Sequence, residues 1–301
     1  VAPLRLLPQL TENDVAVIEA AKADTSMPSV GDLWMLAWDG EELGLALIAA
    51  VRQGYILIWP VTDVHLAASA PCFRLQVDGL AADFNVWPEA EAGVSNALLS
   101  HRIRPMTISD KVIRGLHAAI RGEGDIPSGV ELVGARDDAT SEDALATVCD
   151  FVVALSDIEW TEPRIGRSPF SPDALVEQGI TMREIATQTS VAPASARAMF
   201  DGKRVVPADL VLAIARRHDV APGSLIGPLA GIEVAAIDHP RRKAQITELA
   251  ARRHVDEATS RAEVWEAAQR AARISSRDVS VEARVDQAVQ DLLNEDPPLQ
   301  Q

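Results

Sequence analysis

The chain has 301 residues, 48% of them hydrophobic, enough to bury two or three separate cores. It carries 44 acidic against 28 basic side chains, a net charge of −16, which excludes a protein that coats nucleic acid over its whole surface. Cys72 and Cys149 stand far apart with no C-x-x-C and no metal-ligand spacing, so buried thiols in a reducing compartment are expected, without a metal or other cofactor. No basic-apolar signal opens the chain, and apolar stretches such as 45–51 fall far short of the ~20 residues of a membrane span. A cytoplasmic, soluble protein with no membrane partner is the expectation.

The acidic excess is unevenly spread. Residues 1–170 hold 25 acidic and 12 basic side chains, 171–237 hold 7 and 6, 238–277 hold 6 and 9, and 278–301 return to a net of −5. Repulsion from the N-terminal half is screened beyond about 8 Å at physiological salt, so DNA contact elsewhere stays open.

In chain order, TENDVAVIEAAKAD (11–24) predicts a short amphipathic helix with Thr11 as its N-cap. From Gly31 to Val64, DLWMLAWDG, LGLALIAAVRQG and YILIWPVTDV read as three strands separated by Asp-Gly and Gln-Gly turns. FRLQVDG and ADFNVWP predict two more, and TISDKVIRGLHAAIRG (107–122) a helix capped near Ser109. The block 28–135 thus reads as a small, strongly bent sheet or barrel closed by a helix. RGEGDIPSG (121–129) has no phosphate-binding glycine pattern and reads as a loop. His65, His101 and His117 lack metal-ligand spacing and read as surface or capping residues. Trp34, Trp38 and Trp59 fall on the strand runs and read as core, an aromatic ligand groove being the alternative.

Residues 135–160 read as a polar linker running into a helix, and TEPRIGRSPFSP (161–172) as a proline-rich boundary. Residues 173–228 parse as five short helices: 173–178, 181–188, 192–200, 207–218 and 222–226. Ile185, Ala186, Val191 and Met199 are spaced for two helices crossing tightly, and Gly202 follows the third helix as a C-terminal cap. Beyond the break at 227–240, residues 241–274 and 280–295 read as amphipathic helices. Their basic edge (Arg241, Arg242, Lys243, Arg252, Arg253) and apolar stripe (Ile246, Leu249, Ala250, Val264, Trp265, Ala268) suit packing on the helical module or on a dimer mate, or a second DNA contact.

Over about 55 residues, GITMREIA, MFDGKR and LAIARRHDVAPGSLIG resemble the lambda-repressor/Cro (XRE-type) DNA-binding domain. Departures are Thr189 for a Leu or Met, Ser190 for the turn Gly and Ala196 for a β-branched residue. The resemblance implies a helix-turn-helix that docks on double-stranded DNA. The family's base and phosphate donors fall here on Met182, Ala192, Pro193 and Ala194, whose side chains cannot donate, while Ser195 can. Arg183, Arg197, Lys203 and Arg204 cluster around the turn as candidate phosphate contacts. Residual specificity is expected from Ser195, Arg197, methyl contacts or DNA shape.

The opening Gly-Asp-x-Trp strand, a strand ending PVT and a late strand leading into the TIS helix are similar in outline to MazF/PemK-like toxins, small SH3-like barrels that cleave single-stranded RNA. Cleavage in that family implies an Arg opening the second strand and a Ser/Thr after the third. Thr62 matches the second position, while Gly44–Leu45 occupy the first with no Arg. The resemblance therefore implies a silent barrel, not an enzyme.

The expected organisation is multidomain α+β. An SH3-like barrel domain with its N-terminal helix (1–135) and a helix with Pro-rich linker (136–172) precede an all-α helix-turn-helix domain (173–228) and a C-terminal helical arm (229–301). The function expected is a DNA-binding transcriptional regulator of XRE type acting as a homodimer, with a protein partner on the barrel or the C-terminal helices as a further possibility. The alternatives are a toxin-antitoxin-like interaction protein whose helix-turn-helix no longer reads DNA, and an RNA-cleaving endoribonuclease.

Overall fold

A computed structural model describes residues 5–52, 54–68, 72–133, 139–158, 160, 169–189, 192–204, 206–226, 234–274 and 279–295. Most of the Pro-rich segment 161–172, Ser190 and Val191 of the turn, the 227–233 break and the C-terminal DPPLQQ lie outside the described residues. The protein is α+β, with an N-terminal antiparallel eight-stranded sheet followed by a mostly helical region. It divides into two compact units, Val1–Trp160 with Val234–Arg261 and Asp291–Gln301, and Thr161–Glu233 with Ala262–Gln290.

In the first unit, α1 (Glu12–Ala21) starts at a capping box: Thr11 Oγ1 accepts from the Asp14 amide, and Asp14 Oδ2 from the Thr11 amide. Asp14 is fully buried, and its other oxygen accepts from the Ala81 amide at 2.5 Å. Burial alone would raise its pKa, but the hydrogen bonds from Thr11 and Ala81 hold it below the usual range.

β1 (Leu33–Trp38), β2 (Glu41–Val51) and β3 (Tyr55–Asp63) form a meander whose first turn holds Asp39 and Gly40 at positive φ. β4 (Cys72–Gln76), β5 (Asp83–Val86), β6 (Ala92–Ser95), β7 (Leu99–Arg104) and, after α2 (Asp110–Ile120), β8 (Leu132–Val133) complete the order β7-β1-β2-β3-β5-β4-β8, with β6 on β3. The strand runs read between Gly31 and Pro88 are all present, as are the helices capped by Thr11 and Ser109. β8 escaped the sequence because two residues carry no periodicity.

Alternate strand residues (Leu33, Met35, Leu45, Leu47, Trp59, Val61, Phe84 and Val86) build one core with Ile18 of α1 and Ile113 and Leu116 of α2. Trp34, Leu36, Ala46 and Ile48, which point the other way, are also fully buried. On this second face the Phe151 ring of α3 (Ala139–Ser156) lies where a Gly44 side chain would stand: an added Cβ would come within 2.7 Å of it. Covering both faces removes the polar alternation of a solvated sheet, which is why these strands read as continuous apolar runs.

The second unit opens with α4 (Pro172–Glu177), α5 (Met182–Thr189), α6 (Pro193–Phe200) and α7 (Ala208–His218), followed by a 3-10 turn at Pro222–Leu225. Phe170, Leu175, Ile185, Ala196, Met199, Leu210, Ile214 and Leu225 share its core, and Phe170 bridges Ile226 to bring the ends of the segment together.

The 229–301 stretch does not behave as one arm. α8 (Val234–Ile237), α9 (Lys243–Arg253) and the start of α10 (Glu257–Ile274) group with the sheet, whereas 262–290, with most of α11 (Val281–Asn294), group with the second unit. The run read across 241–274 breaks at His254, whose left-handed φ of 54° ends α9. Its basic edge is also spent internally. Arg242 and Lys243 are buried, Arg252 pairs with Glu248 and the Leu293 carbonyl, and Arg253 pairs with Glu295. Ile246, Leu249 and Ala250 are buried within the chain rather than offered to a mate.

A buried ionic cluster replaces that edge. Glu257 accepts from Lys243 Nζ at 2.7 Å and from Arg261 at 2.7 and 3.0 Å, while Asp238 accepts from Arg261 at 2.8 Å and from the Trp160 indole at 2.7 Å. Lys243 also donates to the Ala37 and Ala97 carbonyls, and both cations lie over the Trp38 ring. No helix among the described residues is long and apolar enough to cross a membrane.

Candidate nucleic-acid interface

Ile185 and Ala196 are fully buried and Met199 nearly so, which fixes α5 against α6. The small Ala196, unusual for the resemblance, fits a close helix crossing. Thr181 Oγ1 accepts from the Glu184 amide and starts α5, and Pro193 starts α6 at a position whose amide needs no helical partner. α6 ends where Lys203 N bonds the Ala198 carbonyl and Gly202 N the Met199 carbonyl, with Gly202 at φ +67°. That turn sends Lys203 and Arg204 out from the helix end, and both are exposed.

Met182 packs against the core of the unit, while Ala192, Pro193 and Ala194 are exposed and carry no hydrogen-bonding side-chain atom. The charged residues are partly self-paired. Arg197 Nε lies 3.0 and 3.1 Å from the two oxygens of Asp201, and Lys203 Nζ lies 3.5 Å from the same carboxylate. The hydrogen bond from Arg197, then the charges of Arg197 and Lys203, hold the Asp201 carboxyl below its usual range against slight burial. Arg204 Nη1 donates to Ser195 Oγ at 3.1 Å. Arg183 is exposed on α5, and its guanidinium pairs with no group among the described residues.

The structure thus joins Ser195 to Arg204, and Arg197 to Lys203 through Asp201. It does not join Arg183 to either pair. Asp201 was missed in the sequence although its i, i+4 spacing from Arg197 was a usable signal. Glu184 was missed too: it accepts from His218 at 2.8 Å, pairs with Arg217 at 3.2 Å and ties α5 to α7. The Ser195–Arg204 contact spans nine residues across a turn and has no periodic signature.

In the sheet unit, Thr62 is 3% exposed, and its hydroxyl accepts from the Trp87 indole at 2.9 Å. Leu45 is buried in the core, and Gly44 is hemmed in by Phe151 and by the Leu6 carbonyl, 3.0 Å from an added Cβ. A side chain at Gly44 would have to displace the Phe151 ring and crowd the Leu6 carbonyl.

His65 is exposed, as the surface reading expects, whereas His101 and His117 depart from it. His101 is 2% exposed, bonds Ser100 through Nδ1, and is held below its usual pKa by burial. His117 Nε2 bonds Glu91, whose same oxygen accepts from the Trp59 indole at 2.8 Å. The partner is 26 residues away, so no local spacing could reveal it. A cleft of about 530 Å³ between β4 and the segment after β7 is lined by Gln76, Asp78, Arg104, Met106 and Thr107. Among the described residues no group of three or more His, Cys, Asp or Glu could hold a metal ion.

No family model, curated protein or solved structure matches the chain.

Proposed function

We propose that the chain is a DNA-binding transcriptional regulator of XRE type. The segment from α4 to Leu225 is the module that docks on duplex DNA, probing it with α6. The sheet unit is a degenerate, SH3-like barrel similar to MazF/PemK toxins, used for dimerisation or for an effector or partner and not for RNA cleavage.

The observation that carries this reading is the group of exposed cations around the C-terminal end of α6, where Arg197, Lys203 and Arg204 emerge from one helix and its capping turn. Phosphates can exchange with Asp201 for Arg197 and Lys203, because exposed pairs are weak and salt-screened. On the sheet side, a hydroxyl engaged by Trp87 at 62 and a glycine enclosed by Phe151 at 44 support a binding role over phosphodiester chemistry.

A second reading, an interaction protein whose helix pair has lost DNA, is favoured by Asp201, since a carboxylate among phosphate contacts opposes the polyanion. Fluorescence anisotropy on a genomic-fragment pool, followed by sequencing of the bound fraction, separates the two. Saturable, salt-sensitive duplex binding is expected, and its absence at micromolar protein in 50 mM salt leaves only the second reading.

A further inference from the structure

We infer that Arg204 is the base-reading side chain of the helical module and that Ser195 is its positioning residue, the base read being guanine in the major groove. The inference rests on the DNA-binding reading above and assigns the chemistry within it.

The N-terminal end of a helix laid in the major groove is the part that meets base edges. In α6 that end is made of Pro193, Ala194 and Ser195, of which only Ser195 carries a donor or acceptor. Its hydroxyl is not alone: it accepts from Arg204 Nη1 at 3.1 Å, although Arg204 lies nine residues further on. The turn closed by Gly202 brings a guanidinium back along α6 to the very end that lacks donors.

Arg204 is exposed, and a guanidinium has five N–H donors, so the single bond to Ser195 leaves a planar fork available. Guanine O6 and N7 are the acceptor pair that such a fork matches, and no other base presents two acceptors there. The neighbouring cations are less suited: Arg197 and Lys203 are turned to Asp201, and an ammonium lacks the rigid planar fork of a guanidinium. Ser195 holds one edge of the guanidinium, so less side-chain freedom is lost on binding.

The test uses the full-length protein. Duplexes are selected from a random library with the wild type, and affinities for the selected duplex and its single-base variants are then measured for wild type, R204A, R204K, S195A and the S195A/R204A pair. Thermal unfolding of each variant confirms folding. The selected site should contain a guanine whose replacement weakens the wild type about 5- to 150-fold. R204A should lose that discrimination, and R204K should reduce it because an ammonium lacks the planar fork. R204K should keep the wild-type salt slope because its charge is retained. S195A should reduce the discrimination in the wild type and leave it unchanged in the R204A background.

Full guanine preference in R204A would show that Arg204 does not read the base and would overturn the inference. An S195A effect that persists in the R204A background would return base reading to Ser195. Duplex binding without base preference removes this inference alone, and no duplex binding at all removes the DNA-binding reading with it.

Discussion

Asp201 sets how much positive potential the helical module offers, because one carboxylate sits within 3.5 Å of two exposed cations. D201N should strengthen binding to every duplex by roughly three- to tenfold at low salt, and the gain should shrink as salt rises. Anisotropy titrations at 50 and 300 mM salt check this; a variant that binds no better than the parent means the pairing does not compete with phosphate. Lys243 offers a second prediction at this scale. Burial, opposed by Glu257 and reinforced by Arg261, pulls its pKa from 10.5 to about 8. Between those values the unfolded chain keeps a proton that the folded chain has released, so unfolding takes up a proton and stability rises with pH. The buried Cys72 thiol, pushed from 9.0 to about 12, acts in the opposite sense at higher pH. Urea unfolding at pH 8 and 9 should therefore show a rise in wild type relative to K243M, in which the Cys72 contribution cancels. Equal slopes in the two proteins would discard the depressed lysine.

At the scale of elements, the capping turn after α6 ties fold to site. Gly202 has φ +67°, and an added Cβ would lie 3.0 Å from the Phe170 carbonyl and 3.3 Å from Pro172. G202A should cost about 1–3 kcal/mol, the left-handed penalty plus displacement of that backbone. It should also weaken DNA binding, because the same turn aims Lys203 and Arg204. Thermal unfolding and anisotropy on the one variant test both halves, and an unchanged melting midpoint refutes the structural half. The helix caps were legible beforehand at Thr11, Ser109 and Gly202 because capping is a local hydrogen-bond pattern. The break at His254 was not legible, since a histidine in the left-handed conformation carries none of the signal of a glycine.

At the scale of the molecule, charge is partitioned rather than balanced, with 25 acidic residues against 12 basic ones in residues 1–170. DNA affinity should therefore depend on the few exposed cations of the helical module. A plot of log affinity against log salt should have a slope of about −3, roughly 0.9 per phosphate neutralised by Arg183, Arg197 and Lys203. R197A should flatten that slope by about one unit on specific and random duplexes alike. A slope near zero would exclude the phosphate contacts. The protein should also sediment as at least a dimer at micromolar concentration, because one module offers few base contacts and paired half-sites compensate. The apolar stripe of α9 cannot supply that surface, since Ile246 and Leu249 are buried inside the chain. A monomer with and without DNA would reject the dimer.

The sequence alone determined the strand meander, the caps and the order of short helices. Each of these depends on residues within a turn or two of one another: continuous apolar runs, Asp-Gly at the first hairpin, and Ser109 and Gly202 at helix ends. It also determined that α6 begins without side-chain donors, because composition is independent of folding. Tertiary structure decided where the charges went. Lys243 met Glu257 14 residues away, and Arg261 met the Ala97 carbonyl 164 residues away; such pairings follow from how the chain packs and leave no trace in local spacing. It likewise put the ring of Phe151 against Gly44 and the guanidinium of Arg204 on Ser195. What a side chain can do was written in its type, but what it is free to do was set by the neighbours that the fold supplied.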